Sequence, residues 1–131
     1  MTPPVILPDS RVFIEDLRAG RDPFARFAPY PDVCEFATCG IVVTEVCRSV
    51  HDPNLLRRVR ERFEVMVHIP VSRVIWERVT QLAWALDRRG IVLPATDLII
   101  ASCALQVGAA VLTNDAHFRH VPGLEVIGAL E

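Results

Sequence analysis

The chain reads as an α/β layer fold around a mostly parallel sheet, flanked by helices, and two observations lead to that expectation. Short apolar runs alternate with amphipathic segments along all 131 residues, and parallel neighbours require crossover connections of this kind. The runs are also brief, about 3 to 6 residues each, at the short end of ordinary strands.

Val5-Ile6-Leu7 is the first strand. Asp9-Ser10 then caps an amphipathic segment, Val12 to Leu17, that stops at Gly20. The proline-rich stretch from Asp22 to Asp32 is a loop with one helical turn. Cys34 to Cys39 resumes as a buried strand, and Gly40 opens a helix with Glu45 near its middle. Pro53 begins a helix that turns Leu55, Leu56, Val59, Phe63 and Met66 inward. Arg57, Arg58, Arg60 and Arg62 turn outward, either paired with Glu61 and Glu64 or free to meet a phosphate or a partner.

Val67 to Ile69 is a short strand. Val71 to Arg89 is a long helix with Val74, Ile75, Val79, Leu82, Ala83 and Leu86 toward the core, stopped by Gly90. Trp76 and Trp84 on this helix read as core or interface packing rather than as a base-stacking platform. A further helix from Ala95 to Val107 ends at Gly108. Ala110 to Thr113 is a strand, a short turn passes through His117, Phe118 and His120, and Leu124 to Ile127 is the last strand.

Length and composition bound the function. A chain of this size is one domain, residues 1–131. Hydrophobic content of 51% and a mean hydropathy of +0.31 are high, so apolar surface is expected to enter a complex or a homodimer. The net charge of −2 argues against a generally basic nucleic-acid coat. All 14 basic residues are arginine, which excludes Schiff-base chemistry and the lysine-dependent phosphate loop. Cys34, Cys39, Cys47 and Cys103 form no CxxC pair and read as small buried hydrophobes. The most apolar stretch, Ile91 to Leu112, is broken by Pro94, Asp97 and Gln106, which argues against a membrane span. With no signal peptide in view, a cytoplasmic location is expected.

Four acids stand in or beside strongly apolar sequence: Asp9 after the first strand, Glu45 within Gly40-Ile41-Val42-Val43-Thr44-Glu45-Val46, Asp97 before Leu98-Ile99-Ile100-Ala101, and Asp115 after Val111-Leu112. Isolated charges are costly there without a cation or a partner. Asp9, Asp97 and Asp115 each suit a helix cap. Glu45 does not, because Ile41, Val42, Val43, Val46, Cys47 and Val50 surround it on the helix; its expected setting is largely buried, with Arg48 as the local alternative partner. Ligands in open parallel sheets gather at the carboxyl ends of strands, where Asp9 and Asp115 lie. Converging carboxylates of this kind hold a hard divalent cation, Mg²⁺ or Mn²⁺, and such a site suits phosphodiester hydrolysis through an activated water and a stabilised leaving oxygen.

These residues resemble the PIN-domain nucleases, most closely the toxin ribonucleases of VapBC-type toxin–antitoxin pairs. The resemblance lies in Asp9-Ser10 followed by Val12-Phe13-Ile14, in Cys39-Gly40-Ile41-Val42-Val43-Thr44-Glu45, in Asp97-Leu98-Ile99-Ile100-Ala101, and in Leu112-Thr113-Asn114-Asp115 with His117-Phe118. It implies a PIN-like three-layer fold, a divalent-metal ribonuclease cutting single-stranded or loop RNA, and a VapB-like antitoxin that blocks the acidic cleft. Asp9, Glu45 and Asp97 would then be the central metal-binding acids, with Asp115 a weaker fourth. Ser10 and Thr113 would be supporting hydroxyls. Two positions depart from the family pattern. Arg11 stands where a small polar residue is usual, and its charge would either compete with the metal or contact the RNA phosphate. Pro8 removes an amide donor at the strand end. His117 and His120 are read as RNA contacts, proton donors or plain surface residues.

Two other readings compete. A catalytically degenerate PIN module would bind RNA or protein without cutting. Phosphoryl transfer of the haloacid-dehalogenase or receiver type also begins with an Asp after the first strand, but those families need a lysine that this chain lacks.

Overall fold

The protein was analysed as a computed structural model that describes residues 4–30 and 33–128. Its sheet has the strand order β3-β2-β1-β4-β5, where β1 is Val5–Pro8, β2 Glu35–Thr38, β3 Val67–His68, β4 Ala110–Leu112 and β5 Val126–Ile127. All four strand pairings are parallel, among them Ile6 with Phe36, Leu7 with Val111 and Ala37 with Val67. The sheet is therefore wholly parallel among the described residues, and its strands, two to four residues long, are shorter than predicted. Pro8 does not end the ladder, because Asp9 N–H continues it to the Leu112 carbonyl at 2.9 Å.

The helices are α1 (Ser10–Arg18), α2 (Gly40–Arg48), α3 (Pro53–Glu64), α4 (Arg73–Arg88) and α5 (Ala95–Val107), with 3₁₀ turns at Pro23–Phe27 and Ala116–His120. The chain leaves β1 toward β2 and β3, then returns to the other side of β1 for β4. That reversal places a topological switch point between β1 and β4, where open parallel sheets form crevices at their carboxyl ends. The loop predicted from Asp22 to Asp32 contains the expected helical turn, with Asp22 capping it; Pro31 and Asp32 lie outside the described residues.

Helix α5 explains the apolar run near the end of the chain. Asp97 to Ala104 are all buried, so the helix is covered on every side, between α4, α2, β1 and β4. Gly108 ends it at φ 68°, a left-handed conformation open to glycine without a Cβ penalty. No helix among the described residues is long and apolar enough to cross a membrane.

Several expectations need correction. On α4 only Ile75, Val79 and Leu86 are buried; Val74, one residue off that stripe, is 54% exposed. Trp76 and Trp84 are also solvent-facing, at 50% and 63% exposure, and the Arg88 guanidinium lies 4.9 Å from the Trp84 ring centre. On α3, Arg62 pairs with Asp22 at 3.6 Å and covers the Phe24 ring, where pairing with Glu61 or Glu64 was expected. Cys34, Cys39 and Cys103 are buried as free thiols, whereas Cys47 is only half-buried.

Two interactions lock α1 to the loop that follows it. The fully buried Phe13 ring lies 5.5 Å from Phe24, 5.6 Å from Phe27 and 5.1 Å from Phe63, tying α1, the first 3₁₀ turn and α3 together. Below it, buried Asp16 accepts from Arg26 Nε and Nη2 at 2.9 and 2.7 Å and from Arg21 Nε at 3.0 Å. This bidentate fork from Arg26, helped by Arg21, holds the Asp16 carboxyl below its usual range despite burial.

Phe13→Ala is expected to cost about 3–5 kcal/mol, read as a lower urea midpoint, because the ring leaves a cavity that three neighbours cannot collapse into. Asp16→Asn is expected to cost about 2–3 kcal/mol at neutral pH, less than a fully buried pair because Arg21 is largely exposed. Since the folded-state value is lowered, this contribution is present above the ordinary carboxylate range and lost as pH falls through the folded value. Wild type and variant should therefore converge in acid.

Candidate functional site

The carboxyl end of the sheet is where the acids meet. Asp9 follows β1 directly and is 2% exposed; it occupies the N-cap position of α1, yet its side chain makes no capping bond. Instead Oδ2 accepts from the Thr113 hydroxyl at 3.0 Å, and that same Thr113 oxygen accepts from Asp115 N–H at 2.9 Å. One hydroxyl thus links the end of β1 to the loop after β4. Burial pushes the Asp9 carboxyl up, the neighbouring charges of Asp97 and Asp115 push it the same way, and the Thr113 hydrogen bond and Arg11 oppose them.

Asp97 sits in the first turn of α5 at 5% exposure, and Pro94, not Asp97, occupies the cap position. Its Oδ2 lies 3.0 Å from His117 Nδ1. Asp115 does serve as a cap: its Oδ1 accepts from His117 N–H at 3.0 Å at the start of the second 3₁₀ turn. Its Oδ2 faces His117 Nδ1 at 3.4 Å and forms an ion pair with Arg11. Ligand atoms of Asp97, Asp115 and His117 lie within 4.8 Å of one another.

Glu45 joins through a hydroxyl. Its Oε1 accepts from Ser10 Oγ at 3.0 Å, and Ser10 Oγ also lies 3.4 Å from Asp9 Oδ1. The expected burial of Glu45 needs correction: it is half-buried, because α2 fully covers only Val42 and Val46 and leaves Ile41, Val43 and Cys47 partly open. Among the described residues it makes no ion pair with Arg48.

The structure brings Asp9, Asp97, Asp115, Ser10, Thr113, Arg11 and His117 into one cluster, with Glu45 attached through Ser10. His120 faces solvent and makes no described contact with the acids. The placement of His117 between two acids was missed as part of the cluster, although its position two residues after Asp115 was a usable signal. The donor set of carboxylate oxygens and one imidazole nitrogen suits a divalent ion: two bonds of about 2.1 Å span about 4.2 Å, so a small contraction would close the group around one cation. A groove of ≈ 910 Å³ is lined by Val12 and Asn114, the chain neighbours of Arg11 and Asp115, and by Glu15, Asp16, Arg26 and Tyr30.

Residues 6–124 match the family model described as PIN domain. The fold is similar to that of VapBC2 from Rickettsia felis bound to a promoter DNA fragment, with a TM-score of 0.79, 18% identity, and coverage of 95% of this chain and 98% of that one. It is likewise similar to DNA-bound VapBC from Salmonella typhimurium, with a TM-score of 0.79 and 19% identity over 99% of this chain and 100% of the other. A toxin–antitoxin complex from Klebsiella pneumoniae gives a TM-score of 0.73 at 25% identity, covering 96% of this chain and 98% of that one. No curated protein matches the sequence.

Removing one of the crowded charges relieves the others. Asp9→Asn, measured in chelator by thermal melting, is expected to melt higher than wild type at neutral pH. A raised folded-state value means that ionised Asp9 costs stability above it, so the gap should close as pH falls and wild-type Asp9 takes up its proton.

Proposed function

Because the chain belongs to the PIN domain family, whose members are generally nucleases, we propose that it is a Mg²⁺- or Mn²⁺-dependent endoribonuclease toxin of the VapC type, held in check by a VapB-like antitoxin in the cytoplasm. The single observation that carries the reading is the convergence of buried Asp9 and Asp97 with Asp115 and His117 at the β1/β4 switch point. Such crowding of acids is costly by itself and is offset by a divalent cation.

Asp9, Asp97 and Asp115 would hold the cation with the His117 imidazole beside them, and Glu45 would complete the acidic set. Bound there, the cation supplies Lewis acidity for hydrolysis of an RNA phosphodiester. The chain's own part is orientation. Thr113 fixes Asp9, and Ser10 turns Glu45 toward it, so the carboxylates keep their geometry when a charged substrate enters. The adjoining groove, with Tyr30 and Asn114 in its wall, offers a path for a single strand.

The antitoxin partner is proposed from the fold's likeness to VapBC complexes. Homodimer formation is proposed from the exposed Val74, Trp76 and Trp84 of α4, and a monomeric mass in light scattering at micromolar concentration would overturn it. The Arg11–Asp115 ion pair favours one alternative, a PIN module that binds without cutting.

Incubation of a mixed RNA pool with purified protein decides between them. Cutting in Mg²⁺ or Mn²⁺, lost in EDTA, is expected. Asp97→Asn should lower the rate by more than the about 10–100-fold typical of losing a group that only orients a metal ligand. No cutting with any divalent metal would leave the binding module.

A further inference from the structure

We propose that Arg11 is a mobile counter-ion: it competes with the divalent cation for Asp115 and, once displaced, binds the phosphodiester of the RNA. The inference rests on the metal-dependent reading above and adds a residue that couples metal to substrate. Its first support is occupancy. The Arg11 guanidinium is paired with Asp115 Oδ2, the oxygen that also lies 3.4 Å from His117 Nδ1, while Oδ1 is held by His117 N–H. Both oxygens of Asp115 therefore already carry a donor. A cation that takes Asp115 as a ligand has to replace or crowd the guanidinium.

The second support is the reach of the charge. Asp115 offers one of three ligand atoms that lie within 4.8 Å of one another, so the guanidinium paired with Asp115 stands beside the whole group. A positive charge placed there lowers the attraction that the cluster exerts on a divalent ion, since like charges repel across a few ångströms.

The third support is freedom to leave. The Arg11 side chain is 54% exposed, whereas Asp115 is 9% exposed. Arg11 stands in the first turn of α1, where the helix dipole disfavours a cation. The helix therefore gives the guanidinium no reason to stay; the acids alone hold it. Once a divalent ion neutralises them, the exposed arm is released, and its planar fork suits the oxygens of a phosphodiester better than a lysine ammonium would.

Two opposite effects follow from one substitution, which a merely structural ion pair would not produce. With Arg11 on Asp115, metal binding is weakened; with Arg11 on RNA, metal binding is relieved, and by linkage each ligand strengthens the other. The test titrates Mn²⁺ into wild type, Arg11→Gln and Arg11→Lys, reading free Mn²⁺ by electron paramagnetic resonance. In parallel, anisotropy of a labelled single-stranded RNA is followed in Ca²⁺ across a salt series. Thermal melting in chelator confirms that each variant is folded.

Arg11→Gln is expected to bind Mn²⁺ several-fold to about tenfold more tightly than wild type, with Arg11→Lys remaining near wild type. The same variant should bind RNA more weakly, with a salt slope lower by about one. Adding a short RNA with a non-cleavable backbone should tighten Mn²⁺ binding to wild type by a larger factor than it tightens binding to Arg11→Gln. Equal or weaker Mn²⁺ binding by a folded Arg11→Gln, or an unaltered RNA salt slope, overturns the proposal while the metal-dependent reading stands. If neither wild type nor Arg11→Gln takes up Mn²⁺, that reading falls and the counter-ion with it.

Discussion

Crowding negative charge at the carboxyl end of a parallel sheet is the constraint around which this molecule is arranged. Two like charges 4 Å apart repel by about 4 kcal/mol at an effective dielectric of about 20, and burial adds a desolvation cost to each. Asp9 shows the result in its raised carboxyl. The fold meets the cost with whatever donors lie nearby: the Thr113 and Ser10 hydroxyls, the His117 amide and ring, and the Arg11 guanidinium. Those donors come from two connections, Ser10 and Arg11 from the start of α1 and Thr113 and His117 from the segment between β4 and β5, so the sheet order and the electrostatics of the site are one problem. β1 and β4 must be neighbours for Thr113 to reach Asp9, and α5 must be buried for Asp97 to be carried beneath them.

Helix α1 joins scaffold to site. Its N-terminal residues Ser10 and Arg11 face the acids, while Phe13 and Asp16, one turn further on, are clamped by the aromatic cluster and by Arg21 and Arg26. The helix is only nine residues long, too short to hold its shape without tertiary packing. The Phe13 contacts and the Asp16 fork supply that packing within the helix itself. Ser10 is therefore positioned by groups away from the carboxylates, which leaves the site's own hydrogen bonds free to serve the acids.

The fold was readable in the sequence wherever period and punctuation agreed. Strands β1, β2 and β4 were bounded by Pro, Asp, Cys or Gly, and the helices ended near Gly20, Gly90 and Gly108 as the pattern required. Asp9 and Asp115 were legible because each follows a strand so apolar that a charge stands out. Glu45 was only partly legible: its neighbours are hydrophobic, but a helix buries one side, and apolar residues on the other side mimic burial in the sequence. The same limit misplaced Val74 of α4. The Asp16 fork was not legible at all, since its arginines lie five and ten residues away across an irregular turn, where no periodicity operates. His117 escaped assignment to the cluster because a 3₁₀ turn, not a helix, aims it back at Asp97.

The acids and their partners are drawn from nearly the whole chain, from Asp9 through Glu45 and Asp97 to Asp115 and His117. The ladder that unites them pairs residues over a hundred positions apart, as Leu7 and Val111 do. Until β4 docks, the chain carries each carboxylate separately, as an ordinary solvated acid. The cluster comes into being only when β4 slides in beside β1. The site is therefore a property of the assembled sheet, and a partner that meets the chain before β4 docks meets a protein without it.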